Sequence, residues 1–153
     1  MHSVTPSKIR GFSLARPRGM SLLELLIAVA IVGILAAIAI PSYTLYTRST
    51  NRSDATQAME FDAQALERCY SQNFSYTNPP CASVAAAAAS SQGFYTITVN
   101  FPSASSFVIQ ATPLKAPQTG DSSCALFQID NTGLQQAWDS GGALDTKTCW
   151  GST

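Results

Sequence analysis

An unbroken apolar run near the N-terminus constrains this chain more than any other feature. Residues 20–40 read MSLLELLIAVAIVGILAAIAI, contain Glu24 as their single charged residue, and are followed by Pro41. A helix of this length measures about 30 Å, the hydrocarbon thickness of a bilayer. All of its faces would be apolar, as contact with lipid or with a fully apolar filament interior requires. The run therefore predicts a helix that spans a membrane or packs inside an assembly.

Charged residues before this run predict its orientation. Lys8, Arg10, Arg16 and Arg18 precede it without an acidic residue, whereas residues 20–153 carry a net charge of −4. By the positive-inside rule, the N-terminal segment stays in the cytoplasm and the C-terminal part crosses the membrane. The acidic balance and the absence of a basic cluster also argue against direct nucleic acid binding.

The residue types that most catalytic and metal sites need are scarce. The single histidine is His2, in the basic N-terminal segment. If that segment is removed, no imidazole remains for triad catalysis or for a histidine-ligated metal. The four cysteines include no C-x-x-C pair, which argues against a zinc site. We therefore expect no enzymatic activity, no metal and no cofactor.

Glu24 needs an explanation, because an acidic side chain at mid-membrane costs roughly 2.5–3.5 kcal/mol. One explanation is local, since Ser21-x-x-Glu24 fits a helix capping box in which the carboxylate accepts from the Ser21 amide. The other starts from Gly19. Cleavage after Gly19 would make Met20 the N-terminus, and Glu24 of one chain could pair with the amine of a neighbour. Such a pair adds little stability but penalises misregister, since breaking it leaves an unpaired charge.

A conventional secretory signal peptide is a competing interpretation. Ala37-Ile38-Ala39 fits a small-x-small cleavage site. However, the apolar region of such signals is usually about 7–15 residues long, and Glu24 would lie inside it. This alternative would make the protein a secreted periplasmic binding module or an adhesin.

The segment Gly19-Met20-Ser21-Leu22-Leu23-Glu24-Leu25 and the apolar run through Pro41-Ser42-Tyr43 resemble the class III signal of type IV pilins and related pseudopilins. The resemblance implies that prepilin peptidase cuts after Gly19 and that Met20 becomes N-methylated, although Phe is usual at this position. It also implies that Glu24 acts in filament assembly and that Pro41 kinks the helix.

Beyond the apolar run, the pattern predicts a long helix. Pro41 removes one backbone hydrogen bond, and Gly33 is a second weak point at about 1 kcal/mol relative to Ala. Residues 47–53 are poor helix formers, so continuity there is open. Apolar residues then recur at helical steps, with charged residues on a predicted solvated face. The apolar set is Ala58, Phe61, Ala65, Leu66 and Cys69, and the charged set is Asp54, Glu60, Asp62, Glu67 and Arg68.

The C-terminal half alternates apolar and polar residues as strands do. The runs 95–101 and 107–111 suggest a hairpin, and residues 125–129 and 134–138 follow it. The five alanines of 85–89 favour a short helix, and residues 141–153 look irregular. We expect an α+β pilin fold in which the long N-terminal helix packs on an antiparallel sheet of three to four strands. The predicted divisions are a leader at 1–19, a transmembrane and filament-core helix at 20–44, and a periplasmic globular domain at 45–153.

Four cysteines in an oxidising periplasm are expected to form two disulfides. Three pairings are possible, of which we favour Cys69–Cys81 and Cys124–Cys149. A C-terminal disulfide loop, with Tyr70 and Asn73 just after the predicted helix, resembles PilE-like minor pilins. The abundant type II secretion pseudopilins instead carry calcium among C-terminal acids. The acids of this chain form no such ligand run and are expected in loops and turns: Asp121, Asp130, Asp139 and Asp145.

The sequence therefore predicts a non-enzymatic minor pilin that is incorporated into, or primes, a type IV pilus filament. Such a filament is expected to support twitching motility and surface attachment, with DNA uptake as a further option. Its expected partners are prepilin peptidase, other major and minor pilins, the inner-membrane assembly platform and, before assembly, membrane lipid. We expect it in the inner membrane as a single-pass precursor and then in the surface filament. A major pilin and a type II secretion pseudopilin are the alternatives within the family.

Overall fold

The computed structural model describes residues 19–85 and 88–151. It divides into two compact units, the first ending at Ile38 and the second beginning at Ala39. All the strands in the described residues belong to the second unit. Of the predicted leader at 1–19, residues 1–18 lie outside the described residues.

The first element is a single helix, α1, from Leu22 to Asn73. It continues through residues 47–53, whose helicity the sequence left open. Threonine hydroxyls donate to the carbonyl oxygen four residues earlier, so these polar side chains are satisfied within the helix. The donors are Thr44, Thr47 and Thr50, at 3.2, 2.8 and 3.0 Å. A kink at Pro41 or Gly33 stays a prediction.

Five strands form one antiparallel sheet in the order β1-β2-β3-β4-β5. This arrangement confirms the predicted α+β architecture. The strands are β1 Ala88–Ala89, β2 Tyr95–Ser103, β3 Ser106–Pro113, β4 Leu126–Asp130 and β5 Gln135–Trp138. Register is set by antiparallel pairs such as Val99 with Ile109 and Gln110 with Gln128. The hairpin between β2 and β3 turns at Ala104 and Ser105.

Two local expectations were wrong. The expected helix over the alanine run 85–89 is not found in its described residues: Ala88 and Ala89 pair with Ile97 and Thr96 as edge strand β1, which is why the sheet has five strands. Pairing with an existing sheet edge outweighs the weak helix preference of two alanines. The C-terminal segment is not wholly irregular either, because helix α3 spans Thr146–Trp150, with the Asp145 side chain accepting from the Thr148 amide. Ahead of β1 lie helix α2, Pro79–Ala82, and a 3₁₀ turn, Ser83–Ala85.

The core lies between the second half of α1 and one face of the sheet. Ala55, Met59 and Leu66 of α1 are fully buried and share a cluster with strand residues that include Tyr95, Phe107 and Phe127. The apolar face is narrower than the spacing suggested. Phe61 was expected on it but is 66% exposed, because the buried positions fall at Ala55, Met59 and Leu66 and leave Phe61 on the solvent side.

Candidate functional site

The apolar half of α1 is fully available for contact. Large side chains from Met20 to Ile40 are each more than half exposed, for example Met20 at 69% and Leu22 at 76%. Within the described residues α1 is the one helix that is apolar and long enough to cross a membrane. Its most apolar 18-residue window has a mean hydropathy of 2.8 and contains no buried residue. Length and composition of this kind also fit a signal sequence near an N-terminus.

Glu24 lies in the first turn of this helix and is exposed. Among the described residues, its carboxylate has neither a hydrogen-bond donor nor a cation as partner. The Ser21 carbonyl accepts from the Leu25 amide at 3.1 Å, as an ordinary helical bond. The reciprocal capping-box bond, in which the Glu24 carboxylate would accept from the Ser21 amide, is absent from the described part of the chain. The carboxylate is thus free to meet a cation on another molecule.

The other N-terminal residues to which the sequence assigns a role lie before and after Glu24 in the chain. Gly19 and Met20 precede α1 and lie outside regular structure. Gly33 and Pro41 lie inside α1. A side chain built at Gly33 would meet nothing within 4 Å, so within this monomer the glycine is not required by close packing.

A second polar region holds α1 against the globular part, and the sequence did not reveal it. Arg52 and Asp121 form a two-pronged ion pair, with Nε–Oδ2 and Nη2–Oδ1 distances of 2.8 and 2.9 Å. Arg52 also donates to the Thr148 carbonyl at 3.1 Å. Asp121, expected as a loop acid, is 5% exposed. This contact ties the helix to the loop before β4 and to α3.

Asp54 was expected on a solvated face, and that expectation was wrong because the residue is buried, with 1% of its surface exposed. It accepts four hydrogen bonds from the turn before β2: from the hydroxyls of Ser90 and Ser91 and the amides of Gln92 and Phe94. Burial opposes ionisation, but these bonds outweigh it, the one from Ser90 most, and hold the Asp54 pKa below its ordinary value. Helical periodicity alone cannot predict a buried carboxylate, because an acidic residue in a helical pattern is assigned to the solvent-exposed face.

Gln118 also belongs to this second polar region. It is fully buried, and its Nε2 donates to the Tyr95 hydroxyl at 2.6 Å and to the Arg48 carbonyl at 3.2 Å. Arg48 Nε in turn donates to the Pro117 carbonyl at 3.1 Å. Burial, the largest influence, raises the pKa of the Tyr95 hydroxyl to about 12. The hydrogen bonds of this region therefore join parts of the protein to each other, which indicates a structural role.

The other C-terminal acids stabilise turns. The Asp130 carboxylate accepts from the amides of Thr132 and Leu134, Asp139 accepts from two turn amides, and Asp145 caps α3. Their positions agree with the expected loop and turn roles. In the described part of the chain, no group of three or more potential metal ligands comes together.

The four cysteines form the pairs Cys69–Cys81 and Cys124–Cys149. The first bond ties the C-terminal end of α1 to α2, and the Asn73 side chain donates to the Cys69 carbonyl at 3.0 Å beside it. The second bond joins the segment before β4 to α3. Trp150 packs at the edge of the core against Phe127 and donates to the Gln136 carbonyl.

Comparison with known proteins matches two family models along the chain. Residues 15–40 match the prokaryotic N-terminal methylation motif, which implies processing by prepilin peptidase and assembly with other pilins. Residues 41–128, more than half of the chain, match the model described as "type IV minor pilin ComP, DNA uptake sequence receptor".

Curated relatives and a solved structure agree with these matches. The type IV major pilin PilE1 of Neisseria gonorrhoeae is 37% identical over 82 residues, 54% of this chain and 38% of the relative. The type IV major pilin PilA of Myxococcus xanthus is 38% identical over 63 residues, 41% of this chain and 29% of the relative. The match thus spans well under half the length of either relative.

The non-core minor pilin PilV of Neisseria meningitidis shares the fold, with a TM-score of 0.51 and 19% identity over 64% of this chain and 93% of that one. The resemblance to pilins found in the N-terminal residues is therefore confirmed by independent parts of the chain. Helix, sheet and matched sequence together place this chain in the type IV minor pilin ComP family.

Proposed function

We propose that this chain is a non-enzymatic structural subunit of a type IV pilus, a minor pilin incorporated into the filament or priming it. The observation that carries the proposal is the unpartnered Glu24 carboxylate within the exposed apolar half of α1. We assign residues 1–19 to a leader that is removed, 20–44 to the membrane and filament-core helix, and 45–153 to the periplasmic globular domain.

The assembly step follows from the physics of an apolar helix. Lipid tails are as apolar as the interior of a helical bundle, so hydrophobicity alone gives little reason to leave the membrane. A charge pair does discriminate between the membrane and the filament interior, because its partner is present in the filament. Cleavage after Gly19 exposes the Met20 amine, and Glu24 of a neighbouring subunit neutralises it at one axial offset. N-methylation of Met20 keeps that amine basic and leaves the pair intact.

The same proposal defines partners and location. Prepilin peptidase acts on the Gly19–Met20 bond, the assembly platform receives the processed subunit, and other major and minor pilins surround its helix. Membrane lipid covers the helix before assembly. The protein is then a single-pass inner-membrane precursor and afterwards part of the surface filament, where twitching motility and attachment are its expected contributions.

Mass spectrometry of sheared filaments tests this proposal. The full chain is expressed with a type IV pilus system, and the filament fraction is expected to contain it with N-methylated Met20 at its start. Without prepilin peptidase, the leader should persist and the chain should stay in the membrane. Gly19→Val should block processing, whereas the matched Gly33→Ala should not. A mature chain starting at Ile40 would instead establish a conventional secretory signal.

DNA uptake is a second candidate function, favoured by the match to the family described as a DNA uptake sequence receptor. Charge weighs against it: Arg52 is neutralised by Asp121, and Lys115 donates to the Gln92 carbonyl. Fluorescence anisotropy of the full chain in detergent with a labelled 12-base-pair duplex tests it. A receptor should bind more weakly as salt rises, with a slope that counts its phosphate contacts. The absence of DNA binding at low salt would exclude the receptor function and leave the structural role as the single candidate.

A further inference from the structure

The sheet face turned away from α1 is unusual in its chemistry. Residues 69–114, which include β1, β2 and β3, contain no charged side chain. Alternation places polar uncharged residues of four strands on this face, opposite the buried set. These residues are Thr96, Thr98, Asn100, Gln110, Thr112, Gln128 and Gln136. The acid of the face, Asp130 at the end of β4, is occupied by the turn that follows it.

Three glutamines on this face form a row across neighbouring strands. Gln110 is paired with Gln128, and Gln128 with Gln136, in the strand register. Gln110 Nε2 donates to Gln128 Oε1 at 3.0 Å, and Gln128 Nε2 donates to Gln136 Oε1 at 3.4 Å. Thr98 pairs with Gln110 and extends the row to β2. Each amide is held in a fixed orientation and keeps further donor and acceptor capacity toward solvent.

An aromatic residue borders the row. Trp138 lies two residues after Gln136 on β5, hence on the same face, and is paired with Leu126 of β4. Trp138 and Leu126 are both half-buried. An aromatic ring beside oriented amides offers apolar area and hydrogen bonds to one ligand.

We propose that this face binds a neutral, extended carbohydrate chain. A sugar hydroxyl both donates and accepts, as a glutamine amide does, and the apolar face of a sugar ring suits an indole. The lack of cations on the face excludes phosphate recognition as its main chemistry, since backbone binding to nucleic acid depends on Lys and Arg. The inference concerns the globular part and is independent of whether Glu24 directs assembly.

The test is an NMR titration of the isotope-labelled full chain in dodecylphosphocholine micelles with cellohexaose. Shifts are expected at the side-chain amides of Gln110, Gln128 and Gln136 and at the Trp138 indole, and they should be the same in 50 mM and 500 mM salt. The Gln128→Lys variant, which breaks the row, should weaken binding at least tenfold. The matched Gln72→Lys variant, on an exposed position of α1, should bind as the unchanged protein does.

Three results would overturn the proposal. One is the absence of shifts at millimolar cellohexaose in a correctly folded sample. Another is equal binding by Gln128→Lys and Gln72→Lys when their remaining backbone spectra match that of the unchanged chain. The third is perturbation of the same four side chains by a 12-base-pair DNA duplex but not by the sugar, which would assign the face to nucleic acid.

Discussion

At the scale of single residues, Glu24 and Asp54 are two carboxylates on the same helix whose environments differ. Glu24 is exposed on an apolar surface and has no partner among the described residues. Asp54 is buried and accepts four hydrogen bonds from the chain before β2. The first is suited to an intermolecular contact, and the second fixes the helix to its own domain.

Replacing Glu24 with Gln keeps the shape and a hydrogen-bonding group but removes the charge. If the carboxylate neutralises the Met20 amine of a neighbour, Glu24→Gln should insert into the membrane and be processed normally, yet be at least tenfold depleted from sheared filaments. Quantitative immunoblotting of membrane and filament fractions measures this. Glu60→Gln, an exposed substitution on the same helix, is the control. Unchanged incorporation of Glu24→Gln would contradict a role for the Glu24 charge in assembly.

Asp54→Asn should destabilise the globular part by about 2–3 kcal/mol, because a charged acceptor of several hydrogen bonds is replaced by a group that also donates. Urea unfolding of the full chain in micelles measures the loss, and Glu60→Gln should stay within about 0.5 kcal/mol. The Asp54 pKa is lowered in the folded state, so its contribution is present above the unfolded value near 4 and is lost as pH falls through the folded value. The two proteins should therefore converge in stability at low pH, and a constant difference would contradict this origin.

At the scale of elements, the two disulfides close loops at the ends of the globular part. Cys69–Cys81 spans 12 residues, and Cys124–Cys149 spans 25. In the loop-entropy model each stabilises the fold by about 3 kcal/mol, the longer loop slightly more. The second bond has an additional effect, because α3 presents the Thr148 carbonyl to Arg52.

Replacing Cys124 and Cys149 with Ser should cost about 3 kcal/mol, and more than the same change at Cys69 and Cys81. Urea unfolding of both double variants measures the comparison. Loss of the longer loop should also release α3, which hydrogen exchange at the Thr148 and Cys149 amides would reveal. A cost below about 1 kcal/mol, or a larger cost for the shorter loop, would contradict this account.

Periodicity predicted the large elements well and the polar contacts between them poorly. The alternation in residues 95–101 and 107–111 predicted β2 and β3, because one face of each strand is buried. Strand β1 has two alanines and no alternation, so its pairing with β2 depends on an edge formed elsewhere in the chain. The same limit applies to Asp54 and Asp121, whose partners lie far away in sequence. Glu24 was recognisable because a charge inside an apolar run stands out without any tertiary information.

At the scale of the whole molecule, the described chain joins two parts whose surfaces differ in chemistry. The large apolar side chains from Met20 to Ile38 are exposed, whereas the unit beginning at Ala39 has a buried core and two disulfides. Disulfides persist in oxidising compartments, so the C-terminal unit is expected outside the cytoplasm. The basic segment before the apolar run favours the same arrangement by a separate mechanism.

A topology reporter tests that arrangement directly. Alkaline phosphatase fused after Thr153 should be active, because it folds only where its own disulfides form, outside the cytoplasm. Substituting glutamine for the four N-terminal cations removes the charge bias that orients the helix, so reporter activity should fall severalfold. Glutamine at Lys115 and Lys147, in the globular part, should leave it unchanged. An inactive reporter on the unaltered chain, present at normal abundance, would place the disulfide-bonded unit in the cytoplasm and contradict the proposed orientation.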